Sequence, residues 1–144
     1  MDIDEYITKR VDEQQKYFSK KATDNKGKYE LLSIIKLLLS LVISVATPIV
    51  GECSVWSIII SIISATIAFI EGLVFIKKYN DKWINYRKSS ESIKREKYFF
   101  TTKSEKYRNV ACEEANDLFV QNIESIIRDS NEKWENIIFE ERRK

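Results

Sequence analysis

The chain has 144 residues, which is enough for one compact unit and too short for two ordinary domains. Its 24 lysines and arginines are nearly balanced by 22 aspartates and glutamates, so the net charge of +2 gives no reason to expect nucleic-acid binding. Histidine is absent, and the sequence has no glycine-rich phosphate loop and no paired-cysteine motif. We therefore expect no enzyme activity, no catalytic residue, no cofactor and no bound metal.

The first 30 residues have the pattern of an amphipathic helix. Apolar side chains such as Ile3, Ile7, Val11 and Phe18 recur every three or four residues, with charged residues between them. The whole chain contains three glycines and one proline, which favours long helices over turns. We predict one amphipathic helix over residues 1–30, outside the membrane.

Two apolar runs follow, over residues 31–50 and 55–76, with a loop at residues 51–54 between them. As a helix, each run would span about 30 Å, the thickness of the hydrocarbon core of a bilayer. Each run holds 13 residues of Leu, Ile, Val and Phe. Their insertion free energy is about −4 to −8 kcal/mol, against at most about 3 kcal/mol for the one ionisable residue in each run. The alternative, a soluble bundle, requires two successive buried helices of unusual length. We predict a transmembrane hairpin over residues 31–76.

The distribution of lysine predicts the orientation of the hairpin. The loop at residues 51–54 carries no lysine or arginine, whereas the segments on both sides of the hairpin are rich in lysine. Because positively charged residues favour the cytoplasmic side, both termini should be cytoplasmic and the loop should face outward. We therefore expect a multi-pass protein of the inner (cytoplasmic) membrane.

The segment after the hairpin, residues 77–144, is predicted to be helical and cytoplasmic. We interpret residues 77–100 as a continuation of the second membrane helix, residues 101–109 as a turn and residues 111–140 as a final helix. Together with residues 1–30, these helices have matching apolar stripes. The predicted fold is all-α, with a transmembrane helical hairpin whose long helices extend into a small cytoplasmic helical bundle.

One ionisable residue lies in each apolar run, Lys36 in the first and Glu71 in the second. Residues at equal depth in a hairpin have numbers with a constant sum, and the midpoint of these two falls inside the loop at residues 51–54. Our hypothesis is that they form an ion pair, within one chain or between neighbours, which lowers the cost of placing either charge in the membrane. The alternative is that each side chain snorkels separately to the headgroups.

Small and polar residues recur at helical spacing in both apolar runs. Such residues let membrane helices approach closely, and serine hydroxyls can form hydrogen bonds between helices. Alternatively, one row lines a water-filled path in an oligomer, since two helices alone cannot enclose a pore. The candidates for either role are Ser40, Ser44, Ser57, Ser61, Ser64, Ala68 and Gly72.

A motif follows the second apolar run, in the sequence NDKWINYRKSSESIKREKYFF at residues 80–100. It contains Trp83, then Tyr86 and Arg87 in an Asn-Tyr-Arg triplet, and Glu96 in an Arg-Glu-Lys triplet. This pattern resembles the signature of the SLATT superfamily of two-transmembrane proteins, in particular a bacterial branch described as a domain of unknown function. The resemblance covers nearly the whole chain.

The resemblance implies a function that the residues alone do not. SLATT proteins are proposed to be membrane effectors in prokaryotic conflict systems. They are thought to form pores or disrupt membranes in antiviral defence when a nucleotide-sensing or nucleotide-synthesising partner detects invasion. We therefore expect a homo-oligomer in the lipid bilayer that is triggered by a separate partner protein. Arg87 and Glu96 are candidates for holding the cytoplasmic helices together. The alternative is a non-catalytic membrane adaptor that scaffolds a cytoplasmic partner.

Overall fold

The described part of the chain is almost entirely helical. The structure is a computed structural model that describes residues 2–47 and 54–142, so residues 48–53, with most of the predicted outer loop, lie outside it. Within those limits it has helices and turns and no strand, which confirms the all-α fold class. In chain order the elements are α1 (Ile3–Tyr6), a π-helical segment (Ile7–Val11), α2 (Asp12–Ala46), α3 (Ser54–Lys77), α4 (Tyr79–Thr101), a 3-10 turn (Glu105–Tyr107) and α5 (Cys112–Arg142).

Helix α2 is one element of 35 residues. It contains most of the predicted amphipathic segment and also the first apolar run as far as Ala46. The boundary that we predicted at residue 30 is therefore a change in composition, without a break in the backbone. The end of that run, residues 48–50, lies outside the described residues.

A break at Lys78 separates α3 from α4, where we had predicted one continuous helix. The φ angle of Lys78 is 44°, in the left-handed region that non-glycine residues rarely adopt. The Lys78 amide still donates to the Val74 carbonyl at 3.1 Å, so the last turn of α3 is complete. A residue with positive φ cannot continue a right-handed helix, and α4 begins at the next residue, Tyr79.

Helix α4 ends in a Schellman motif built without glycine. The Ser104 amide donates to the Phe99 carbonyl at 2.9 Å, and the Lys103 amide donates to the Phe100 carbonyl at 3.2 Å. Lys103 has a φ angle of 50°, at the position where glycine is usually found in this motif. These hydrogen bonds satisfy the last carbonyls of α4 and start the turn that we predicted over residues 101–109.

The chain divides into two compact units. The first contains the residues up to 24 together with those from 81 onward, and the second contains residues 25–80. The first unit is a helical bundle around one apolar core, to which the N-terminal helices, α4, the 3-10 turn and α5 all contribute. The buried core residues are Tyr6, Val11, Phe18, Ile93, Tyr107, Phe119, Ile123 and Ile127.

The second unit is the hairpin formed by the apolar part of α2 and by α3. In each helix the least exposed side chains recur every three or four residues, as expected for a stripe that packs against a neighbouring helix. An ion pair between Lys36 and Glu71 joins the two helices. We infer that they pack along a mainly aliphatic seam, formed by Leu32, Lys36, Leu39 and Ile43 on α2 and by Ile60, Ile63, Ile67 and Ile70 on α3.

Candidate functional site

The described chain contains two helical stretches that are long and apolar enough to cross a membrane, one ending at Ala46 and one beginning at Val55. The most apolar windows of 18 residues in these stretches are 0% and 6% buried inside the structure. The core helix of a soluble protein would bury most of such a window. Here large aliphatic side chains such as Leu41, Val45 and Ile62 are exposed, and apolar surface of this extent is typical of contact with lipid or a partner.

Lys36 and Glu71 are in direct contact within one chain. The Nζ atom of Lys36 donates a hydrogen bond to Oε2 of Glu71. The structure therefore brings together the two ionisable residues of the apolar runs, with the Lys36 side chain 34% exposed and the Glu71 side chain 60% exposed. The ammonium lies nearer the seam, and the carboxylate faces outward.

The small and polar residues of both runs lie outside the seam. Ser40, Ser44, Ser57, Ser61, Ser64, Ala68 and Gly72 are all exposed. Because successive residues of an α-helix are about 100° apart, the five of them on α3 fall together with Glu71 in an arc of about 100° beside the seam. The two on α2 fall with Lys36 in an arc of about 80°. These residues therefore do not bring α2 and α3 of one chain together.

Both arcs lie on the same side of the hairpin, because each contains one member of the Lys36–Glu71 ion pair. We call this side the polar face and define it by Lys36, Glu71 and the seven small and polar residues. The other side carries large exposed side chains, among them Leu41, Val45 and Phe69. The hairpin thus has one side of large apolar residues and one side that is mainly small and polar, on which Phe75 is an exposed apolar exception.

The serine hydroxyls of the polar face donate to their own helix. Ser40 Oγ donates to the Lys36 carbonyl, Ser61 Oγ to the Ser57 carbonyl and Ser64 Oγ to the Ile60 carbonyl, each at 2.9 Å. A hydroxyl has one proton and two lone pairs. With the proton used within the helix, the oxygen presents only acceptor positions to whatever covers the face.

A second polar cluster lies in the bundle around Glu96. The Tyr107 hydroxyl donates to the buried Glu96 carboxylate, and Lys106 Nζ lies 2.9 Å from the same oxygen. Asn122 of α5 donates to the Tyr107 hydroxyl at 3.2 Å. Burial, together with the hydrogen bond to Glu96, raises the pKa of Tyr107 well above its ordinary value. Glu96 therefore links α4 to the 3-10 turn and, through Tyr107, to α5.

The other residues of the motif have different surroundings. Arg87 is exposed and pairs with Glu91 on its own helix at 2.9 Å, so our expectation that it holds the helices together is not what the structure shows. Tyr86 is half-buried and stacks on Phe18 of α2, with ring centroids 6.0 Å apart. Trp83 is also half-buried in α4.

The comparisons with known proteins bear on this arrangement. A family model described as "Protein of unknown function (DUF4231)" matches residues 13–115. The chain belongs to the DUF4231 family. The matched segment includes the whole polar face, the motif of α4 and the Glu96–Tyr107 contact. A search of curated proteins and a search of solved structures each found no match.

One polar cluster of this DUF4231 protein, formed by Tyr6, Arg10 and Glu124, could not be predicted from the sequence. Arg10 donates through Nε and Nη2 to both oxygens of Glu124, each at 3.1 Å, and the Tyr6 hydroxyl donates to the same carboxylate at 2.9 Å. The guanidinium holds the pKa of the Glu124 carboxyl below its usual range. The partners are more than 110 residues apart in sequence. Tyr6 immediately precedes the π-helical segment and Arg10 lies within it, so a local backbone feature contributes to their placement.

The part of the chain that the structure describes shows no arrangement for a metal ion and has one exposed cysteine. Across residues 2–47 and 54–142, no group of three or more histidine, cysteine or acidic side chains is arranged to hold a metal ion. Cys112 is a free, exposed cysteine at the start of α5. The other cysteine, Cys53, lies outside the described residues.

Proposed function

We propose that this DUF4231 protein is a two-pass protein of the inner membrane, with both termini in the cytoplasm, which oligomerises and permeabilises the membrane. In this proposal several copies surround a water-filled path with their polar faces, and a separate nucleotide-sensing or nucleotide-synthesising protein controls their assembly or opening. The resemblance to the SLATT superfamily supports the defence role and the separate partner. The polar face of the hairpin is the observation that carries the proposal.

The polar face is poorly suited to direct contact with lipid. A single inserted hairpin would expose the Glu71 carboxylate and a row of hydroxyls to hydrocarbon. On insertion scales a charged side chain costs at most about 3 kcal/mol at the bilayer centre and less nearer the headgroups. Assembly with the polar faces turned inward removes these groups from lipid, while the aliphatic side of each hairpin stays in contact with it. Water in the enclosed space then solvates the ion pairs.

A membrane adaptor is the second candidate function. It is favoured by one exposed face of α4, which carries Lys88, Lys94, Arg95 and Tyr98 together with the Arg87–Glu91 ion pair. Such a surface could recruit an acidic cytoplasmic partner. An adaptor needs the hairpin only as an anchor, so changes confined to the polar face should leave its function intact.

The proposed orientation predicts opposite labelling of the two cysteines. In single-cysteine variants made by Cys53→Ser or Cys112→Ser, Cys53 should react with a membrane-impermeant maleimide added outside intact spheroplasts. Cys112, which is exposed in the structure, should react only in inverted membrane vesicles. Labelling of both cysteines from the same side would contradict the two-pass orientation.

The Ser61→Leu variant is predicted to lower ion flux through liposomes that contain the purified protein. Leucine places a large apolar group in the centre of the polar face, so we expect at least about a tenfold loss, as when one hydrophobic constriction excludes water from a path. Flux is measured as release of a trapped dye or ion at increasing protein density, and crosslinking reports the oligomer size.

Thr66→Leu is the matched control for this experiment. Thr66 is also exposed on α3, and its hydroxyl donates to the carbonyl four residues earlier at 2.9 Å, as that of Ser61 does. It lies five residues further along, about 140° around the helix and away from the polar face. An equal loss of flux in the Ser61→Leu and Thr66→Leu variants would contradict the proposed path. So would a wild-type flux that never rises above the rate of protein-free liposomes.

A further inference from the structure

We infer that the path selects cations over anions and that Glu71 is the residue that sets this selectivity. The inference rests on the proposed function and specifies the class of ion that passes. It comes from two features of the polar face that are independent of each other. One is the asymmetry of the Lys36–Glu71 pair, and the other is the direction of the serine hydrogen bonds.

The pair presents its negative member to the path. The Lys36 side chain is about half as exposed as that of Glu71, 34% against 60%. Lys36 belongs to the half-buried row of α2 that forms the seam, whereas Glu71 lies on the same arc as the small residues of α3. An ion on the polar face therefore approaches the carboxylate first, with the ammonium behind it.

Small residues lie next to Glu71 and on its N-terminal side, whereas Phe75, which is 71% exposed, lies about one turn after it on the same arc. Gly72 adjoins Glu71, and Ala68 lies about one turn before it on the same arc. Apart from the two adjoining residues and the local helix backbone, a methyl group added at Gly72 would meet no atom within 4 Å, and the Glu71 side chain is 60% exposed. A partly hydrated cation has room to reach the carboxylate oxygens.

The serine hydroxyls of the polar face favour cations over anions, as the Glu71 carboxylate does. Ser40, Ser61 and Ser64 each donate their proton to a carbonyl of their own helix, as described above. Their oxygens therefore offer lone pairs to the path. Oxygen lone pairs can replace water around a cation, whereas an anion needs hydrogen-bond donors. These serine oxygens can therefore bind a cation but cannot donate a hydrogen bond to an anion.

Apart from Lys36 itself, the nearest opposing charges are the lysines at the open end of the hairpin, among them Lys28 and Lys77. Lys28 is eight residues from Lys36, about 12 Å along a helix, and Lys77 is six residues from Glu71, about 9 Å. At physiological ionic strength, charges at such distances are largely screened, because the Debye length is about 8 Å. The nearer carboxylate should therefore dominate the selectivity.

The test is the reversal potential of the full-length protein in a planar bilayer under a KCl gradient. We expect a permeability ratio of potassium to chloride of about five or more, the factor that corresponds to one unit charge about 4 Å from an ion in water. Glu71→Gln should bring the ratio to one or below, because the Lys36 charge then has no partner. Lys36→Met should keep the ratio at or above the wild-type value.

Two further variants test whether a change in the permeability ratio comes from the loss of Glu71 or from an isolated charge in the membrane. The double variant Lys36→Met/Glu71→Gln has no isolated charge in the membrane, and it should conduct with a ratio near one. Glu30→Gln is the matched control, because Glu30 pairs with Lys26 at 3.5 Å at the end of the hairpin and is not part of the polar face. It should leave the ratio unchanged.

The outcomes distinguish this inference from the proposed function. A conducting wild type that prefers chloride or shows no preference, or a Glu71→Gln variant that keeps the wild-type ratio, overturns the selectivity and leaves the path standing. A wild type that inserts correctly but does not conduct at any protein density overturns both.

Discussion

Replacing Phe119 with alanine is expected to destabilise the helical bundle by about 3–5 kcal/mol, the usual range for removing a fully buried aromatic ring. Phe119 is 0% exposed and lies at the centre of the core. Its ring stacks on Phe100 with centroids 4.3 Å apart and meets Tyr107 and Tyr6 edge-on, at 6.5 Å and 6.4 Å. Alanine removes these contacts and leaves a cavity among rings that belong to three different segments.

The measurement is thermal unfolding of the full chain in detergent, followed by near-ultraviolet circular dichroism of the aromatic core. A loss of about 3 kcal/mol should lower the melting temperature of the bundle by at least about 12 °C. In domains of about 60–100 residues, the size class of the bundle, each kcal/mol corresponds to about 4–8 °C. The matched control is Tyr98→Ala, which removes an aromatic side chain that is 64% exposed on α4. It should change the stability by less than about 0.5 kcal/mol. Equal shifts for the two variants would contradict the assigned core.

The second large effect concerns the ion pair of the hairpin. Glu71→Ala and Lys36→Ala should each destabilise the hairpin by about 2–3 kcal/mol, because each leaves one charge in the apolar region without its partner. The double variant removes both charges. It should therefore be no less stable than either single variant, and the coupling free energy should be about as large as one single effect.

The double-mutant cycle is measured by unfolding in mixed micelles as the fraction of SDS increases. Lys26 and Glu30 provide the matched cycle, because they are four residues apart on α2, lie 3.5 Å from each other and are both about half exposed. Exposed pairs with this spacing couple by only about 0.3–0.5 kcal/mol. If the effects of Lys36→Ala and Glu71→Ala simply add, the two side chains reach the headgroups independently, and the pair has no energetic role.

The composition and periodicity of the chain were sufficient to predict its helices. Helical periodicity follows from local backbone geometry, so the apolar repeats before Phe18 and the two apolar runs could be interpreted without knowledge of the fold. The approach of Lys36 to Glu71 could also be anticipated. In a hairpin with a loop of a few residues, counting outward from the loop is enough to match residues by depth. The break at Lys78 could not be anticipated, because lysine rarely adopts a positive φ angle.

The arrangement of polar residues required the folded chain. Sequence spacing placed Ser57, Ser61 and Ser64 on one side of α3, but it could not show whether that side faces α2. Which side of α3 faces α2 depends on how each helix is rotated about its own axis. The aliphatic seam and the ion pair together determine that rotation. The same holds for Glu96 and Tyr107, and for Arg10 and Glu124. Contacts between distant segments arise from three-dimensional packing, whereas a periodic pattern carries information only about its own helix.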